Sequence, residues 1–576
     1  MDLDTPPNAG PSWPAPDDFI LTTYARGLPY EKLVGTTDFR FIVHPSGWME
    51  RDAPGGYKLP RTAASVGPHL IHDLLGGVSD QHIAPVVQSI LSFDPAIVWL
   101  DLKRIYDGFP LRQPGTVVLV VMVEENSMSW EHGCTLADAI YRFVRERCPD
   151  LGPDDMHCEV FEVSQPAGGA LSLADFPRVD LSSLMDAAAS APAAEVDPSF
   201  LLHPSRRAYN ANSWSRVYSL NILRRQRLMF SPYLGQPITT SYEPELSAVT
   251  GLYVRLSKGG TGTESAVSFN AMIISRHLVF SESSPFIVDQ LGDDYNTAEP
   301  ISVFQVPELF LAETHRSTQY YIKALNEVYD RNKQDVDTGR VQRTHESDSR
   351  DQEISSNITD SEQFLAHYTA HADINSRRIG DIVATAGRHG DWALVKMSEN
   401  TFGTFLPRNR GYIADLDDAS QGKLRDTGDT LLLEGRKRQG QEMWFEDFLE
   451  LKTYFTMTDI EERGYLGPTG MALPVYKFGT QMRGRTGSLG SLAYKRDGEG
   501  NVKRMYSVVS NDIRLPFSFA GDNGAVVFAV LPDDTGNPRA GAIGFVCGCH
   551  GKVSYVVPFE DVKDSIEMTG WRMHLA

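Results

Sequence analysis

Short β-rich runs separated by glycine-containing turns dominate the chain after about residue 245, and they restrict its fold more than any other feature. The clearest runs are 250–256, 266–274, 392–397, 525–531 and 553–558. Runs of this length with turns close together are typical of all-β barrels and sandwiches. The sequence therefore predicts an all-β C-terminal domain over 245–576.

One helical insertion interrupts this region at about 308–374. Residues 308–330 carry Tyr321, Leu325 and Val328 on one helical face, and 361–374 carry Phe364 and Tyr368 in the same way. Such spacing predicts two amphipathic helices. The stretch between them, 342–360, is polar and has no apolar periodicity, which predicts a loop.

The N-terminal part shows a different pattern. A β-branched run at 116–123 is followed by helical spacing at 135–147 and an alternating run at 157–163. Strand, helix and strand in this order predict a βαβ-like unit within a small α+β domain, residues 31–175. Residues 1–30, rich in Pro, Asp and Gly, predict a flexible arm.

An Ala/Ser/Pro-rich stretch predicts a linker that begins the segment 176–244. This segment also contains a cluster of arginines: Arg206, Arg207, Arg216, Arg224, Arg225 and Arg227. Leucines beside them favour a helix docked against an acidic face of the same protein, although a nucleic-acid patch stays open as the alternative.

Charge and composition exclude several classes of function. The 576 residues carry a formal net charge of −21, which argues against general binding to nucleic acid or to an anionic membrane. The longest apolar run, 117–123, is much shorter than the roughly 20 residues that cross a bilayer. Five cysteines and the absence of a secretory signal predict a cytoplasmic protein.

Three segments of the β-rich half carry the residues of a possible active site. In 271–280 an apolar strand ends in Ser-Arg-His277, and in 390–395 Asp391 precedes the apolar run Trp-Ala-Leu-Val. In 517–528 the turn Gly521-Asp-Asn-Gly524 precedes another apolar strand. Each of these three segments, taken alone, is common in proteins without catalytic function. The order His, Asp, then Gly-Asp-X-Gly is more specific.

The three segments, in this order, resemble the motifs of the trypsin/chymotrypsin-like serine protease family. The resemblance covers about 245–576 and includes the tail 541–551, which is similar to the family's pocket-wall strand, and 553–562, which is similar to its last strand. It implies a double six-stranded β-barrel. More narrowly, the segments around His277 and Asp391 and the N-terminal βαβ unit resemble large intracellular fungal trypsin-like proteins.

The resemblance also implies roles for individual residues. His277 would be the general base and Asp391 the carboxylate that orients it, with Asp381 as the rival for that role. The backbone N–H groups of Gly521 and Asn523 would form the oxyanion hole. Position 523, however, holds Asn where the family has its nucleophilic Ser, and an amide has neither a nucleophilic oxygen nor a proton to give to His277. The sequence therefore predicts a pseudoprotease whose cleft binds a peptide or protein segment.

The specificity pocket implied by the resemblance includes Phe517, six residues before Asn523, and Gly544 on the pocket-wall strand. An aromatic floor would fill the pocket or favour a small apolar side chain. Cys547, Cys549 and His550 lie too close together on one strand for a tetrahedral metal site, so neither a metal nor another cofactor is predicted.

Two alternatives to the pseudoprotease stay open. The chain could be an active serine-type endopeptidase whose nucleophile lies elsewhere or has been replaced. It could also be an intracellular scaffold that leaves the cleft idle. The sequence does not predict the oligomeric state.

Overall fold

A computed structural model describes the greater part of the chain. The described residues are 32–37, 61–64, 69–75, 80–107, 116–163, 171–172, 232–242, 246–258, 267–278, 300–386, 391–398, 407–412, 448–462, 473–479, 485–496, 500–511, 516–519, 521–533, 538–550 and 553–576, with 66, 229 and 244 as single positions. The predicted flexible arm, the arginine cluster and most of the predicted linker lie outside these residues.

Most of the described elements are strands, which are numbered here in chain order. They are β1 Lys32–Thr36, β2 Arg61–Ala64, β3 Ile97–Asp107, β4 Thr116–Glu124, β5 Met156–Val163, β6 Leu171–Ser172, β7 Pro237–Thr240, β8 Leu246–Val249, β9 Tyr253–Lys258, β10 Val267–Ile274, β11 Ser302–Gln305, β12 Arg378–Thr385, β13 Ala393–Met397, β14 Arg410–Tyr412, β15 Phe448–Glu450, β16 Thr453–Tyr454, β17 Pro474–Lys477, β18 Arg485–Arg496, β19 Val502–Ser510, β20 Val526–Pro532, β21 Pro538–His550, β22 Val553–Pro558 and β23 Arg572–Leu575.

The α-helices are numbered in the same way. They are α1 His72–Leu75, α2 Asp80–Leu91, α3 Trp130–Arg147, α4 Glu308–Asp337, α5 His345–Ala370, α6 Met457–Glu462 and α7 Phe559–Glu567.

The C-terminal strands close into a six-stranded barrel. The order β18-β17-β20-β21-β22-β19 runs around it, and the β18–β19 pairing joins its two ends. The interior is filled by apolar side chains such as Val475, Val508, Val527 and Ile543, each 1% exposed or less. Alternation of inward and outward residues along each strand produces this core. The closed barrel and the mostly β C-terminal region agree with the fold predicted from the short β runs.

The N-terminal strands form a sheet that continues into the barrel. β4 and β5 pair in parallel, and α3 lies between them in the chain. The sheet order is β1-β5-β4-β3, and β3 then pairs with β18 through Leu100 opposite Tyr494 and Trp99 opposite Lys495. The N-terminal strands and the barrel are therefore parts of one twelve-stranded sheet.

A second, nine-stranded sheet contains β6 to β13 together with β23. Its order is β23-β9-β10-β13-β12-β11-β7-β8-β6. The strand β7 begins at Pro237, upstream of the residue at which the C-terminal domain was predicted to begin. Within the described residues no pairing joins β8 to β9, which would close this sheet. The second of the two predicted barrels therefore stays a prediction.

The insertion between β11 and β12 is a long helical arm, α4 with α5 (residues 308–370). The first helix extends to Asp337, and the second begins at His345. The predicted loop at 342–360 was therefore wrong over most of its length, because α5 runs through it. Five buried residues anchor the arm at its base: Val306, Leu311, Phe364, Tyr368 and Ala372. In the described part of the chain, no helix combines the length and the apolar character needed to span a membrane.

Candidate functional site

The end of strand β10 meets Asp391 directly. β10 and β13 pair with Ile274 opposite Ala393, which brings Ser275 level with the residues before β13. The hydroxyl of Ser275 donates to the Asp391 carboxylate, with both oxygens 3.1 Å away. Ser275 is buried and Asp391 partly exposed. A fixed carboxylate thus stands beside the residue that begins Ser-Arg-His277.

His277 lies in the short 3₁₀ helix Arg276–Leu278 that follows β10. The backbone N–H of Leu278 donates to the carbonyl oxygen of Ser275 at 3.3 Å, which closes this turn. The backbone of His277 is therefore held in the turn that directly follows Ser275, the residue bonded to Asp391. The side chain of His277 is not among those that the structure describes.

The rival carboxylate, Asp381, is engaged elsewhere. It sits in the middle of β12 opposite Lys396, accepts a hydrogen bond from Ser302 at 2.7 Å and forms an ion pair with Arg378. Lys396 is in turn opposite Ala271, four residues before Ser275. At about 3.3 Å per residue, Asp381 is level with a point about 13 Å along the strand from Ser275. The geometry thus places Asp391, and not Asp381, beside the start of the histidine turn.

The turn at 521–524 contacts the same strand end. Gly521 and Gly524 have φ values of 90° and 82°, in the region that glycine adopts without steric cost. A Cβ atom on Gly524 would lie 3.0 Å from the backbone nitrogen of Ser275. The turn is closed by N–H donation from Asp522 to Phe519 at 3.0 Å and from Ala525 to Asp522 at 2.9 Å. Three segments distant in sequence, around 275, 391 and 523, therefore converge.

Asn523 is the third residue of this turn, the position to which the sequence resemblance assigns the nucleophile. Its carbonyl oxygen accepts a 3.4 Å hydrogen bond from the N–H of Val249, and only 2% of the residue is exposed. The amide side chain cannot form an acyl intermediate in the way that a serine hydroxyl can. The neighbouring Ser518 is also buried and donates to the hydroxyl of Ser554 at 2.5 Å.

A buried ion pair supports the turn from behind. The ammonium of Lys477, on β17, lies 2.6 Å from the Asp522 carboxylate, and both side chains are 0% exposed. The same carboxylate accepts the N–H of Phe519 at 3.0 Å. Gly479 lies against Asp522 so closely that a Cβ atom there would overlap the carboxylate. Because Asp522 is held on three sides, the direction of the adjacent N–H of Asn523 is restricted.

The two cysteines on β21 are not activated nucleophiles. Burial, and secondarily the negative charge of Asp391, raises the pKa of the Cys547 thiol to about 12. Burial also raises the pKa of Cys549, with Asp522 as the next contribution. Both are neutral thiols near pH 7, and the thiolate is the reactive form. Within the described residues, no group of three or more His, Cys, Asp or Glu side chains is arranged to hold a metal ion.

The two predicted pocket residues have separate surroundings. Phe517 is 0% exposed and packs in the barrel core, with the Lys477 ammonium 5.8 Å from the centre of its ring. Gly544 lies within β21, opposite Val527 on one side and Pro558 on the other. It is tightly packed against the backbone of Val557, which leaves no room for a side chain. Its assignment to a specificity pocket stays a prediction.

Sequence reasoning missed two residues of this site. Ser275 was named only as part of the segment that ends in His277, and Lys477 was not singled out. A charged residue within Val475-Tyr-Lys-Phe478 is a signal that could have drawn attention, because a buried lysine needs a partner.

No protein-family model matches the chain, and no curated protein matches it either. Among solved structures, one similar chain is described as a glutamic acid specific serine protease that utilizes a novel histidine triad in substrate binding. It is 9% identical to this chain, and the match covers 60% of this chain and 100% of that one, with a TM-score of 0.26. A similarity this low carries no argument about the site, so function is inferred from the geometry above.

Proposed function

We propose that the chain is a catalytically inactive serine protease homologue of trypsin-like type, which binds a peptide or protein segment in a cleft beside Asn523. The observation that carries the proposal is the convergence of the 521–524 turn on Ser275, which is hydrogen-bonded to Asp391. This arrangement suits a general base and an orienting carboxylate beside a turn in which the N–H groups of Gly521 and Asn523 would form the oxyanion hole. With Asn at 523, the covalent step is missing.

Two structural details are parts of the same proposal. The nine-stranded sheet would be the first barrel of the double barrel, completed by a contact between β8 and β9. Residues 32–163 would be an α+β unit added to the protease fold, in a protein that acts in the cytoplasm. The fungal trypsin-like proteins named above remain the narrower resemblance.

Restoring the nucleophile tests the proposed catalytic frame, which consists of His277, Asp391 and the 521–524 turn. The variant Asn523→Ser and the unmodified protein are incubated with a fluorophosphonate, and the labelled residues are mapped by mass spectrometry. In the reaction the serine oxygen attacks phosphorus, fluoride leaves, and His277 takes the serine proton. Loss of a triad nucleophile reduces turnover about 10⁶-fold, so we expect labelling at residue 523 in the variant alone.

Matched controls separate the frame from chance reactivity. Asn523→Ala gives no hydroxyl at this position, and Asn523→Ser combined with His277→Ala keeps the hydroxyl without the base. Both should stay unlabelled. Labelling of the unmodified protein at another serine would support the active endopeptidase. Absence of labelling in Asn523→Ser would show that the catalytic frame cannot activate a serine at this position.

Binding is tested separately from chemistry. Peptides cleaved by the Asn523→Ser variant from a mixed fluorogenic library report what the cleft accepts. The same sequences, with the scissile bond reduced, are then titrated against the unmodified protein by fluorescence anisotropy. Saturable binding is expected. A reactive frame without binding would favour the scaffold alternative, in which the cleft is idle.

A further inference from the structure

An apolar stripe runs along the exposed side of helix α4. Tyr320 is 76% exposed and Val328 39% exposed, and the small, partly exposed Ala324 lies between them. Residues four apart lie on the same face of a helix, so these three side chains form one continuous strip. Leu325 and Tyr329, on the next row of the helix, are partly buried.

The arm has little packing of its own beyond its base. Of the described side chains between 319 and 360, Ile354 is the single one that is buried. Yet α4 has 30 residues and is about 45 Å long at 1.5 Å per residue. Most helical stability in proteins comes from packing of an apolar face, and the outer half of the arm has hardly any. An additional packing partner is therefore expected along the stripe.

On one flank of the stripe the charges are arranged in two halves, while the exposed Arg331 lies on the stripe itself, three residues after Val328. Arg316 and Lys323 lie towards the start of the helix, and Glu327 and Asp330 lie towards its end, all on the same flank and all exposed. In the described part of the chain none of the four takes part in an ion pair within 4 Å. Two copies of such a helix, placed antiparallel, bring each basic half against the acidic half of the other.

We propose that α4 pairs antiparallel with α4 of a second copy of this chain, about a two-fold axis close to Ala324. Tyr320 of each copy then contacts Val328 of the other. On the flank, Lys323 faces Glu327 and Arg316 faces Asp330 across the axis, each pair occurring twice. The small side chain of Ala324 lets the helices approach to the usual 8–10 Å.

A second copy fits this surface better than a different protein, because a single two-fold rotation near Ala324 brings both the apolar and the charged positions against complementary ones. Isologous contacts of this kind are the commonest in symmetric dimers. The arm also leaves the nine-stranded sheet at the end where β12 begins, whereas Asp391 follows the end where β12 finishes. Pairing through the arm would leave the candidate cleft open, so this inference does not depend on the proposed function.

Sedimentation velocity of the full chain over a wide concentration range tests the pairing. We expect a concentration-dependent dimer, and Tyr320→Glu should weaken it at least about tenfold by placing a charge in the apolar contact. The matched control is Val341→Glu, since Val341 is 47% exposed and lies in the turn between α4 and α5, outside the proposed contact. A monomer at every concentration, or a dimer unchanged by Tyr320→Glu, would overturn the proposal.

Charge reversal and cross-linking test the antiparallel register. Lys323→Glu and Glu327→Lys should each weaken the dimer, and the double reversal should restore it, because the pairs across the axis are then re-formed. Ala324→Cys should form a disulfide between copies on oxidation, whereas Ser356→Cys, exposed on α5, should not. Failure of the double reversal to restore the dimer, or equal cross-linking by both cysteines, would exclude this register.

Discussion

At the scale of single residues, Lys477 and Asp522 form a pair of opposite charges inside the protein, directly behind the turn that carries Asn523. Removing two charges from water costs several kcal/mol per ion, and the attraction between them offsets this only with good geometry and further hydrogen bonds. Here the carboxylate has the ammonium at 2.6 Å and the N–H of Phe519 at 3.0 Å. The pair therefore fixes the position of the turn more than it adds stability.

Removing the cation should be costly. We expect Lys477→Met to lower the free energy of unfolding by about 3–5 kcal/mol, because Asp522 would stay buried without its counter-charge. Urea unfolding followed by fluorescence measures this, with Lys452→Met, at an exposed position, as the matched control. A loss no larger than that of the control would show that the pair is not isolated from water. In the Asn523→Ser background the substitution should also slow fluorophosphonate labelling.

The thiol of Cys547 should be unreactive at neutral pH. Its pKa is raised from 9.0 to about 12, so the thiolate fraction below pH 9 is about a thousandfold lower than for an ordinary thiol. Since the pKa is raised, reactivity should increase about tenfold for each pH unit up to that value. Alkylation with iodoacetamide between pH 7 and 10, mapped by mass spectrometry on folded and unfolded protein, measures this. Fast alkylation of the folded protein at pH 7 would contradict it.

At the scale of elements, the 521–524 turn approaches the end of β10 closely at Gly524. Gly524 combines a φ of 82° with a position where a Cβ atom would be 3.0 Å from Ser275. Gly500 has a φ of 88° and nothing within 4 Å of such a Cβ atom. The two glycines share the same backbone requirement and differ in steric space.

This difference gives a matched test. Gly500→Ala should cost about 1–2 kcal/mol, which is the strain of the left-handed conformation. Gly524→Ala should cost more, since the turn must also move away from Ser275, and it should abolish labelling of the Asn523→Ser variant. Thermal unfolding and the labelling assay measure the two effects. Equal costs would mean that the turn and β10 can separate freely.

The elements differ in how far their sequences reveal them. Strands such as β10, β13 and β22 were predicted to within a residue or two, because β-branched runs bounded by turns are a strong local signal. The start of α5 was missed because residues 342–360 contain only two apolar side chains, Ile354 and Ile358. So small a number of apolar side chains gives no readable period. The partnership of Lys477 with Asp522 joins residues 45 positions apart, which no local pattern records.

At the scale of the whole molecule, a polar network ties the N-terminal sheet to the barrel. On β3, Asp101 and Lys103 form a fully buried ion pair at 2.9 Å. The Lys103 ammonium donates to Ser507 of β19 at 2.5 Å, and the hydroxyl of Tyr555 on β22 donates to Asp101 at 3.3 Å. A buried network of this kind joins two parts that a sequence-based division would separate.

We therefore expect the two parts to unfold together. Lys103→Met should leave Asp101 buried without its counter-charge and lower stability by about 3–5 kcal/mol. Hydrogen–deuterium exchange should show loss of protection in β4 and β5 and in β20 to β22 to the same extent. Loss confined to residues 32–163 would show instead that the N-terminal strands are a separate cooperative unit.

The pairing of β3 with β18 has a consequence for the protein during its own synthesis. Leu100 pairs with Tyr494, so the ribosome must add 394 residues after Leu100 before this edge of the N-terminal sheet can pair with β18. At about 5–20 residues per second, that interval lasts on the order of 20–80 s. Throughout it, the part of β3 around Trp99 and Leu100 is an open strand edge of the kind that associates with other chains, while Arg104 to Asp107 pair with β2. The ribosome-bound nascent chain is thus the stage at which aggregation, and protection by chaperones, should matter most for this protein.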